Sequence, residues 1–456
     1  MPMTAVLPLL LATVLSAAGP QTSMQTQSNS AKKTAQTPQA QVVTGASAFG
    51  KQKTSLEQLT LDHNWLALQQ ALGKHGTDAG DAFYRGLLEN HRDHFKRSIA
   101  LLEPLVPGLA AGGDRMKEKQ ARLTLADDYF RTFQYKKAAA EYAALAKCCE
   151  KQLTAQEKSE VEIPAKLLPE LESAPAQTLD LTGSFTVPTE VNPLGLTDLT
   201  VWMDGYPTRW LFDPAENFTM IARSKAELVG LKLSKETLTI SSITGQPIYV
   251  HATVIPKLKI GDAVFHNVPA VVYDDLDLYD KARQYQIEGV LGQPLLALLG
   301  QVTAEESGNL TFSEAPPLQE GAPFFTDEDQ LIVAAGKDGS GGLYTVNPAA
   351  TSSLFSSRFY DTHLAQFTHL RMDLVKLPGN KLSQEIPIPA YHAETLHLTF
   401  GGVPITLHDI EVLAQPAGAE EDRFYGMLGD DALSQLKSYT FDFRSMKFIV
   451  RTHFGD

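Results

Sequence analysis

The sequence contains very little cysteine. Its 456 residues include two, Cys148 and Cys149, and the two are adjacent. Adjacent cysteines rarely bridge each other, because a disulfide needs Cα atoms several ångströms apart and converging Cβ vectors. We therefore expect no disulfide framework. The pair is either a redox or metal pair or, as we favour, two small residues at the end of a helix.

The chain is also short of basic residues and of long apolar runs. It has 39 Lys and Arg against 53 Asp and Glu, a net charge of −14. Nucleic-acid binding requires clustered Lys and Arg to neutralise phosphates, so no nucleic-acid partner is expected. No run matches the roughly 20 apolar residues of a membrane-spanning helix. The 12 histidines show no metal-ligand spacing, and we expect neither a metal nor another cofactor.

The N-terminus has the pattern of a secretory signal. An apolar run extends from Ala5 to Leu15, and Ser16–Ala18 supplies the small residues of a cleavage site. No Lys or Arg precedes the run, which leaves a disordered N-terminus as the alternative. We expect a signal peptide over residues 1–18, export to a periplasmic or extracellular space, and no stable membrane span once the signal is removed.

The segment after the signal has few large apolar side chains. Residues 19–54 are rich in Gln, Ser, Thr and Ala. Such a composition cannot bury enough surface to offset the entropy lost on ordering. The segment is therefore predicted to be a disordered linker.

From residue 55 to residue 150 the apolar residues follow a helical period, and two stretches can be superimposed. His94–Leu102 and Gln134–Tyr142 each place an aromatic residue, two basic residues and a helix start in the same order, at an offset of 134 − 94 = 40 positions. A helix is predicted before each stretch, and Gly108–Arg115 is interpreted as an inserted loop. These residues resemble tetratricopeptide repeats, which offer a groove for a peptide or partner helix. An unrelated bundle of helical hairpins is the alternative.

The period of the apolar residues changes in the C-terminal two-thirds of the chain. Residues 151–178 are charged and interrupted by prolines, which predicts a linker. Beyond them, short segments rich in Val, Ile, Thr and aromatic residues alternate with turn residues. A period of two with such turns is typical of strands, so the rest of the chain is predicted to be all-β.

The β region contains one pattern twice, over residues 179–317 and 318–456. Each copy has a strand that ends in a short turn, a later strand pair, and a closing apolar-apolar-Gly segment. Asp213 and Gly289 are 289 − 213 = 76 positions apart, and Asn347 and Gly426 are 426 − 347 = 79 apart. Matched order at matched spacing is far more specific than any one motif. The turns are Asp213-Pro214-Ala215 and Asn347-Pro348-Ala349, and the closing segments are Val290-Leu291-Gly292 and Met427-Leu428-Gly429.

This order resembles that of retropepsin-like and pepsin-like aspartic proteases, in which a strand ends in Asp-Thr-Gly and a flap hairpin precedes the apolar-apolar-Gly strand. The resemblance implies a multidomain fold: an N-terminal all-α part of tetratricopeptide-like hairpins and a C-terminal all-β part of two tandem acid-protease-like lobes. It implies a flap at Ser241–Val250 around Gly245, whereas the second copy has no clear counterpart. It places Asp213 and its partner Asn347 at the catalytic positions, with substrate-binding residues Pro214, Ala215, Gly245, Pro348 and Ala349.

Neither turn keeps the triplet of that family. Pro and Ala replace Thr and Gly in both copies, and Pro offers neither a hydroxyl nor an N–H. Asn347 cannot ionise, so the family's pair of carboxylates that share a proton is incomplete. The resemblance then implies impaired catalysis and polypeptide binding through the bilobal cleft, the helical repeats, or both. The alternative is an active aspartic endopeptidase in which two chains pair their first lobes and bring together two copies of Asp213.

One further motif needs an interpretation. His91-Arg92-Asp93 matches the tripeptide of a kinase catalytic loop. No Gly-rich loop, Asp-Phe-Gly or Ala-Pro-Glu accompanies it, so it carries no kinase function. We interpret it as an exposed turn between helices.

Overall fold

The structure is a computed structural model of the chain. It confirms the predicted layout of a helical N-terminal part followed by a β-rich part. Two predicted substrate-binding residues, Ala215 and Gly245, lie outside the residues that it describes, as do nearly all of residues 1–53. The described residues are 6–7, 54–74, 79–153, 161, 168, 171–172, 174–214, 216, 218–242, 247–327, 330–336, 341–367, 369–378, 385–417 and 422–452.

Seven α-helices form the described N-terminal domain, and two of them start at a residue whose side chain caps the first turn. Ser55 Oγ accepts the N–H of Gln58 at 3.1 Å before the first helix, and Asp114 Oδ1 accepts that of Lys117 at 3.2 Å before the sixth. None of the helices in the described part is long and apolar enough to cross a membrane. They are α1 (Leu56–Leu61), α2 (Trp65–Lys74), α3 (Ala82–Asn90), α4 (Phe95–Leu102), α5 (Val106–Gly112), α6 (Arg115–Arg131) and α7 (Tyr135–Cys148).

Two helical hairpins, α3–α4 and α6–α7, share one turn geometry. A non-glycine residue has a left-handed backbone in each turn, Asp93 with φ of 53° and Phe133 with φ of 60°. The next residue in each turn donates its N–H to the preceding helix, at 2.9 Å in the first hairpin and 2.7 Å in the second. The superimposed stretches are therefore a structural repeat of helix, turn and helix.

The predicted inserted loop is largely helical. Residues 106–112 form α5, and α6 begins at Arg115. Pro107 stands in the first turn of α5, where its missing N–H costs nothing, and Gly113 ends the helix with a φ of 75°. The prediction of a loop followed the glycines, but Gly108 and Gly112 lie within the short helix and only Gly113 ends it.

The expectation about the cysteines is wrong: Cys148 and Cys149 form a disulfide, with Cα atoms 3.7 Å apart. The pair lies where α7 ends, and Cys149 has left the helical conformation, with φ of −133° and ψ of 15°. Within a regular helix the two Cβ vectors would diverge. The helix end at this pair was predicted from the sequence, whereas the bridge was not: the break after Cys148 allows the sulfurs to converge.

The segment predicted as a linker also contributes to the core. Four leucine or valine side chains of this segment are at most 8% exposed: Leu153, Val161, Leu168 and Leu171. They belong to the apolar cluster that joins α3–α7 to the first lobe. These four side chains therefore pack between the two parts.

The first lobe is built on a ten-stranded sheet, in the order β1-β8-β9-β10-β7-β13-β6-β5-β4 with β2 beside β10. Its helix α8 (Arg223–Leu228) follows β7 and its helix α9 (Gln293–Leu296) follows β13. Its strands are β1 (Val6–Leu7), β2 (Thr178–Asp180), β3 (Phe185–Val187), β4 (Thr189–Val191), β5 (Thr197–Met203), β6 (Tyr206–Phe212), β7 (Thr219–Ala222), β8 (Leu238–Ser242), β9 (Pro247–Ile260), β10 (Ala263–Tyr273), β11 (Tyr279–Asp280), β12 (Tyr285–Gln286), β13 (Gly289–Leu291), β14 (Gln301–Glu305) and β15 (Leu310–Ser313).

The second lobe repeats this arrangement in a thirteen-stranded sheet that also takes in strands of the first: β20-β21-β22-β19-β23-β18-β17-β16-β25-β24-β14-β15-β3. Its helices are α10 (Ser357–Thr362), α11 (Leu364–Phe367) and α12 (Asp430–Leu433), and its strands are β16 (Ala322–Asp327), β17 (Gln330–Ala334), β18 (Leu343–Val346), β19 (Leu354–Phe355), β20 (Met372–Pro378), β21 (Glu385–Phe400), β22 (Val403–Leu413), β23 (Gly426–Leu428), β24 (Ser438–Asp442) and β25 (Lys447–Arg451).

The two lobes meet through β14 and β24, which pair antiparallel within the shared sheet. Each strand is the copy of the other, since both follow the helix after the apolar-apolar-Gly segment. Thr303 pairs with Thr440 in this ladder. An antiparallel pair of equivalent strands implies a local two-fold axis between them.

The helical domain docks on the second lobe around the buried carboxylate of Asp327. This carboxylate accepts from His63 Nδ1 at 2.8 Å, from Trp65 Nε1 at 3.2 Å and from Arg423 Nη1 at 3.3 Å. Burial works to raise the pKa of Asp327, but the adjacent Arg423 and His63 outweigh it and hold the pKa below its usual range. The interface therefore contains an ionised carboxylate, which the surrounding donors compensate.

The interpretation of His91-Arg92-Asp93 as an exposed turn is wrong. His91 is 5% exposed, stacks on Trp65 with ring centroids 3.6 Å apart, and contacts the Thr326 carbonyl through Nδ1 at 2.8 Å. Asp93 accepts from Thr326 Oγ1 at 2.6 Å and from Gln293 Nε2 at 2.9 Å. The tripeptide thus joins the helical domain to both lobes. The sequence suggests that polar residues at a turn are solvent-exposed, because their hydrogen-bond partners are 200 or more positions away.

Candidate functional site

The two predicted catalytic positions terminate equivalent strands. β6 ends at Phe212, immediately before Asp213, and β18 ends at Val346, immediately before Asn347. The apolar-apolar-Gly strand runs parallel to each, with Leu291 opposite Phe212 and Leu428 opposite Val346. The structure therefore places both turns in the arrangement that the sequence duplication predicted.

The backbone bonds of the two turns are also equivalent. Asp213 donates its N–H to the Leu291 carbonyl at 3.3 Å, and Asn347 donates its own to the Leu428 carbonyl at 2.9 Å. The residue three positions on then donates back to the turn residue's carbonyl, at 3.2 Å in the first lobe and 3.0 Å in the second. The turns are thus closed in the same way although their side chains differ.

Gly292 and Gly429 allow the closing strand to approach each turn. A Cβ on Gly292 would lie 2.5 Å from the Phe218 carbonyl oxygen, and one on Gly429 would lie 2.7 Å from the Ser352 carbonyl carbon. The following residue donates its N–H back to the turn, at 2.8 Å in the first lobe and 2.6 Å in the second. The glycine of the closing segment is therefore required by contact with the turn's backbone, not by an unusual φ.

Asp213 and Asn347 differ in the chemistry of their side chains. Both are fully buried. Asn347 Oδ1 accepts the N–H of Ala349 at 2.8 Å, which closes an Asx-type turn. The amide group therefore stabilises its own turn, and it cannot act as a second acid or base.

The remaining predicted site residues are part of the turns' packing. Pro214, Pro348 and Ala349 are buried, so any contact with a substrate would require the turns to be uncovered. Ala349 belongs to the apolar cluster that contains Leu194 and Leu196 of the first lobe. The turn of the second lobe therefore packs against the first lobe.

Both lobes carry a flap hairpin. The first consists of β8 and the start of β9, with Leu238 opposite Val250, as predicted at Ser241–Val250. The second consists of β20 and the start of β21, with Asp373 opposite Ala390. The sequence showed no second flap, because the two hairpins share strand pairing but no residue pattern.

The base of each flap packs on the strands that flank its turn. In each lobe the same apolar cluster contains flap residues, a residue of the strand after the turn and a residue of the closing strand. In the first lobe these are Ile248, Val250, Met220 and Val290, and in the second they are Ile388, Ala390, Leu354 and Met427.

A buried carboxyl that the sequence did not single out lies near the first turn. Asp198 lies on β5 and pairs with Leu211 of β6. Its carboxyl accepts hydrogen bonds from Asn192 Nδ2 at 2.8 Å and from the Tyr285 hydroxyl. Burial raises the pKa of Asp198. Asn192 Oδ1 in turn accepts the N–H groups of Leu194 and Leu196, at 2.8 and 3.1 Å. Asp198 therefore holds the turn that contacts the second lobe, a structural role.

Comparison with known proteins supports the character of the first lobe. An aspartyl protease family model matches residues 199–295, a range that contains Asp213 and Gly292. The chain therefore carries an aspartic-protease-like domain of the retropepsin type. No curated protein matches the chain.

Several solved structures are similar in part. The basic 7S globulin of soybean has a TM-score of 0.38 at 12% identity over 59% of this chain and 95% of its own. Conglutin gamma, a basic 7S globulin of lupine seeds, has a TM-score of 0.36 at 11% identity over 60% of this chain and 96% of its own. A retropepsin-like aspartic protease of Rickettsia conorii has a TM-score of 0.21 at 15% identity over 30% of this chain and 91% of its own.

Proposed function

We propose that this protein is an exported, aspartic-protease-like module that binds polypeptide between its two lobes and does not cleave it. The observation that carries the proposal is the position of Asn347. It is the structural equivalent of Asp213, and its side-chain oxygen is engaged by the Ala349 N–H at 2.8 Å. One half of the catalytic pair is therefore a neutral amide with a structural task.

The chemistry of an aspartic protease requires two carboxylates. One is ionised and activates a water molecule, while the other is protonated and polarises the peptide carbonyl. With an amide at one position, the pair cannot share a proton. Loss of a positioned acid–base group costs roughly 10²–10⁴-fold in rate, which is consistent with a site retained for binding.

The flap hairpins supply an apolar surface for a polypeptide. Tyr249 on the first flap is 58% exposed, and Met372 and Leu374 on the second are 53% and 61% exposed. Exposed apolar side chains on paired strands favour an extended chain that adds its own main-chain hydrogen bonds. The two helical hairpins, which we propose are tetratricopeptide-like, would provide a second polypeptide surface.

The interlobe sheet weighs against the alternative of an active dimer. In that alternative the first lobes of two chains pair with each other. Here β14 of the first lobe already pairs with β24 of its own chain over residues 301–305. Pairing between chains would first have to break this ladder, so a single-chain cleft is the simpler arrangement.

Binding to an unfolded polypeptide tests the proposal. We expect fluorescently labelled, reduced and alkylated casein to bind the purified protein and to remain intact at acidic and neutral pH. The double variant Met372→Ser/Leu374→Ser should bind about tenfold more weakly, a loss of about 1.4 kcal/mol. Leu61→Ser, an equally exposed leucine on α1, should bind like the wild type.

Two results would contradict the proposal. One is cleavage of the casein that disappears in Asp213→Asn, which would show a working peptidase. The other is full binding by the flap variant, which would move the polypeptide site elsewhere. Export is tested separately, by sequencing the N-terminus of the mature protein from the extracytoplasmic fraction.

A further inference from the structure

Three ligand-type side chains converge where α7 ends beside the start of α6. A carboxylate oxygen of Glu118 and the Sγ atoms of Cys148 and Cys149 all lie within 4.8 Å of one another. Among the described residues, these three form the one group of Cys, His, Asp or Glu side chains that lie close enough together to hold a metal ion. It is independent of the protease-like lobes.

The surroundings of this group hold its members in place. Glu118 is 1% exposed and forms ion pairs with Arg115 and with Arg122, whose Nε lies 3.1 Å from its carboxylate. The Cys149 carbonyl accepts the N–H groups of Gln152 and Leu153 at 2.9 and 3.2 Å. The carboxylate and the cysteine backbone are therefore both fixed, which lowers the cost of ordering ligands around an ion.

We propose that Cys148, Cys149 and Glu118 form a redox-gated site for a thiophilic divalent cation of the zinc type. In the disulfide the two sulfurs are bonded to each other, and the site is closed. A reductant of the dithiol or phosphine class breaks this bond and yields two thiols: a dithiol supplies two electrons and two protons and becomes a disulfide, whereas a phosphine supplies two electrons, takes its oxygen from water, and leaves the protons of that water on the sulfurs. The cation then displaces one proton from each thiol and binds two thiolates and the carboxylate.

The ligand set suits such a cation. Thiolate sulfur selects soft or borderline metals over Mg²⁺ and Ca²⁺, and zinc accepts a mixed set of sulfur and oxygen ligands. Two thiolates and a carboxylate carry three negative charges, of which the ion neutralises two. The guanidinium groups of Arg115 and Arg122, which pair with Glu118, balance the rest. Three protein ligands leave a fourth position, which the half-buried Cys148 opens toward solvent.

The experiment uses the full chain in its oxidised and reduced forms. Intact mass should rise by about two daltons on treatment with a water-soluble phosphine, as one disulfide becomes two thiols. After removal of the phosphine under nitrogen, Co²⁺ should give a sulfur-to-cobalt charge-transfer band, and Zn²⁺ should displace the cobalt. The oxidised protein and the double variant Cys148→Ser/Cys149→Ser should give no such band.

Paired glutamate variants test the third ligand. Glu118→Gln should keep the charge-transfer band but bind Zn²⁺ about 10–100-fold more weakly. The control is Glu141→Gln, which removes another partner of Arg122, 2.7 Å from its Nη1, and should leave Zn²⁺ affinity unchanged. Absence of the mass change, absence of the band after reduction, or equal Zn²⁺ affinity of Glu118→Gln and wild type would each overturn the site as proposed.

Discussion

Thr303 and Thr440 occupy equivalent positions in the two lobes, 137 positions apart, and pair directly with each other across the interlobe ladder. Their hydroxyls are hydrogen-bonded at 2.8 Å. The two glycines of the closing segments are separated by the same 429 − 292 = 137 positions. The local two-fold axis therefore passes between these threonines, and each residue meets its own copy there.

This pair predicts a specific pattern of stability. Thr303→Val should lower the free energy of unfolding by about 0.5–1.5 kcal/mol, because it leaves the Thr440 hydroxyl partly buried without its partner. The double variant Thr303→Val/Thr440→Val should be no less stable than either single variant. A double-mutant cycle in urea measures this coupling.

The control for that cycle is the exposed pair Thr186 and Thr311, whose hydroxyls are also 2.8 Å apart. Water can replace the missing partner there, and Thr311 keeps its bond to Glu305 Oε1 at 3.1 Å, so Thr186→Val should change stability by less. Additive effects at Thr303 and Thr440 would show that their hydrogen bond does not couple the lobes.

Gly429 predicts a packing defect in the second turn. In Gly429→Ala the new Cβ would lie 2.7 Å from the Ser352 carbonyl carbon, a backbone atom that cannot move alone. We expect a loss of about 1–3 kcal/mol in the free energy of unfolding. Gly73→Ala, in α2 with nothing within 4 Å of the new Cβ, should stabilise slightly. Equal urea midpoints for the two variants would contradict the close approach of the strand to the turn.

From the contacts of Asp327 we predict that this carboxylate holds the helical domain on the second lobe. Asp327→Asn leaves Arg423 buried without its carboxylate, and breaking a buried pair in this way costs about 3–5 kcal/mol. We expect faster proteolysis between the helical domain and the lobes. Asp180→Asn removes an exposed carboxylate that contacts His266 at 2.9 Å, and it should not change the cleavage rate. If both variants resist proteolysis like the wild type, this contact does not hold the domain.

His91 predicts a pH dependence of stability. Burial, opposed by the nearby Asp327, lowers the pKa of His91 from 6.5 to about 4. The unfolded chain then binds a proton that the folded chain excludes, so this contribution is present above pH 6.5 and is lost as the pH falls toward 4. Its slope is at most about 1.4 kcal/mol per pH unit.

The variant His91→Asn isolates this contribution. Its side-chain amide can still donate to the Thr326 carbonyl but does not titrate. The difference in unfolding free energy between wild type and variant should shrink as the pH falls from 6.5 to 4, while Asp327, His63 and Arg423 remain common to both proteins. A difference that does not change with pH would contradict a neutral, buried His91.

Local sequence patterns were sufficient for the order of the helical and β parts and for the duplication. The capping residues Ser55 and Asp114, the apolar periods and the order of the closing segments are properties of neighbouring residues. The matched spacing of the two copies predicted the two equivalent turns, because a repeated sequence folds into a repeated unit. It also identified Asp213 and Asn347 as equivalent positions, which the backbone bonds of both turns reproduce.

Contacts between distant residues could not be predicted in this way. The second flap shares strand pairing with the first, but the pairing of β20 with β21 leaves no residue pattern in common with Ser241–Val250. The disulfide joins neighbouring residues, but it too depends on the fold, because it needs a helix that ends between the two cysteines. Nothing in the local sequence distinguishes Asp198 from the other acidic residues, because its contacts with Asn192 and Tyr285 form only in the folded protein.

The sequence by itself determined which two parts of the β region are copies. It also determined that one copy has Asn347 where the other has Asp213, since both facts follow from the identity and order of residues. The tertiary structure decided what those residues touch. It placed His91-Arg92-Asp93 between three parts of the chain, and it placed Thr303 opposite its own copy. Such contacts depend on how whole sheets and helices pack, and the free energy of that packing is distributed over residues hundreds of positions apart.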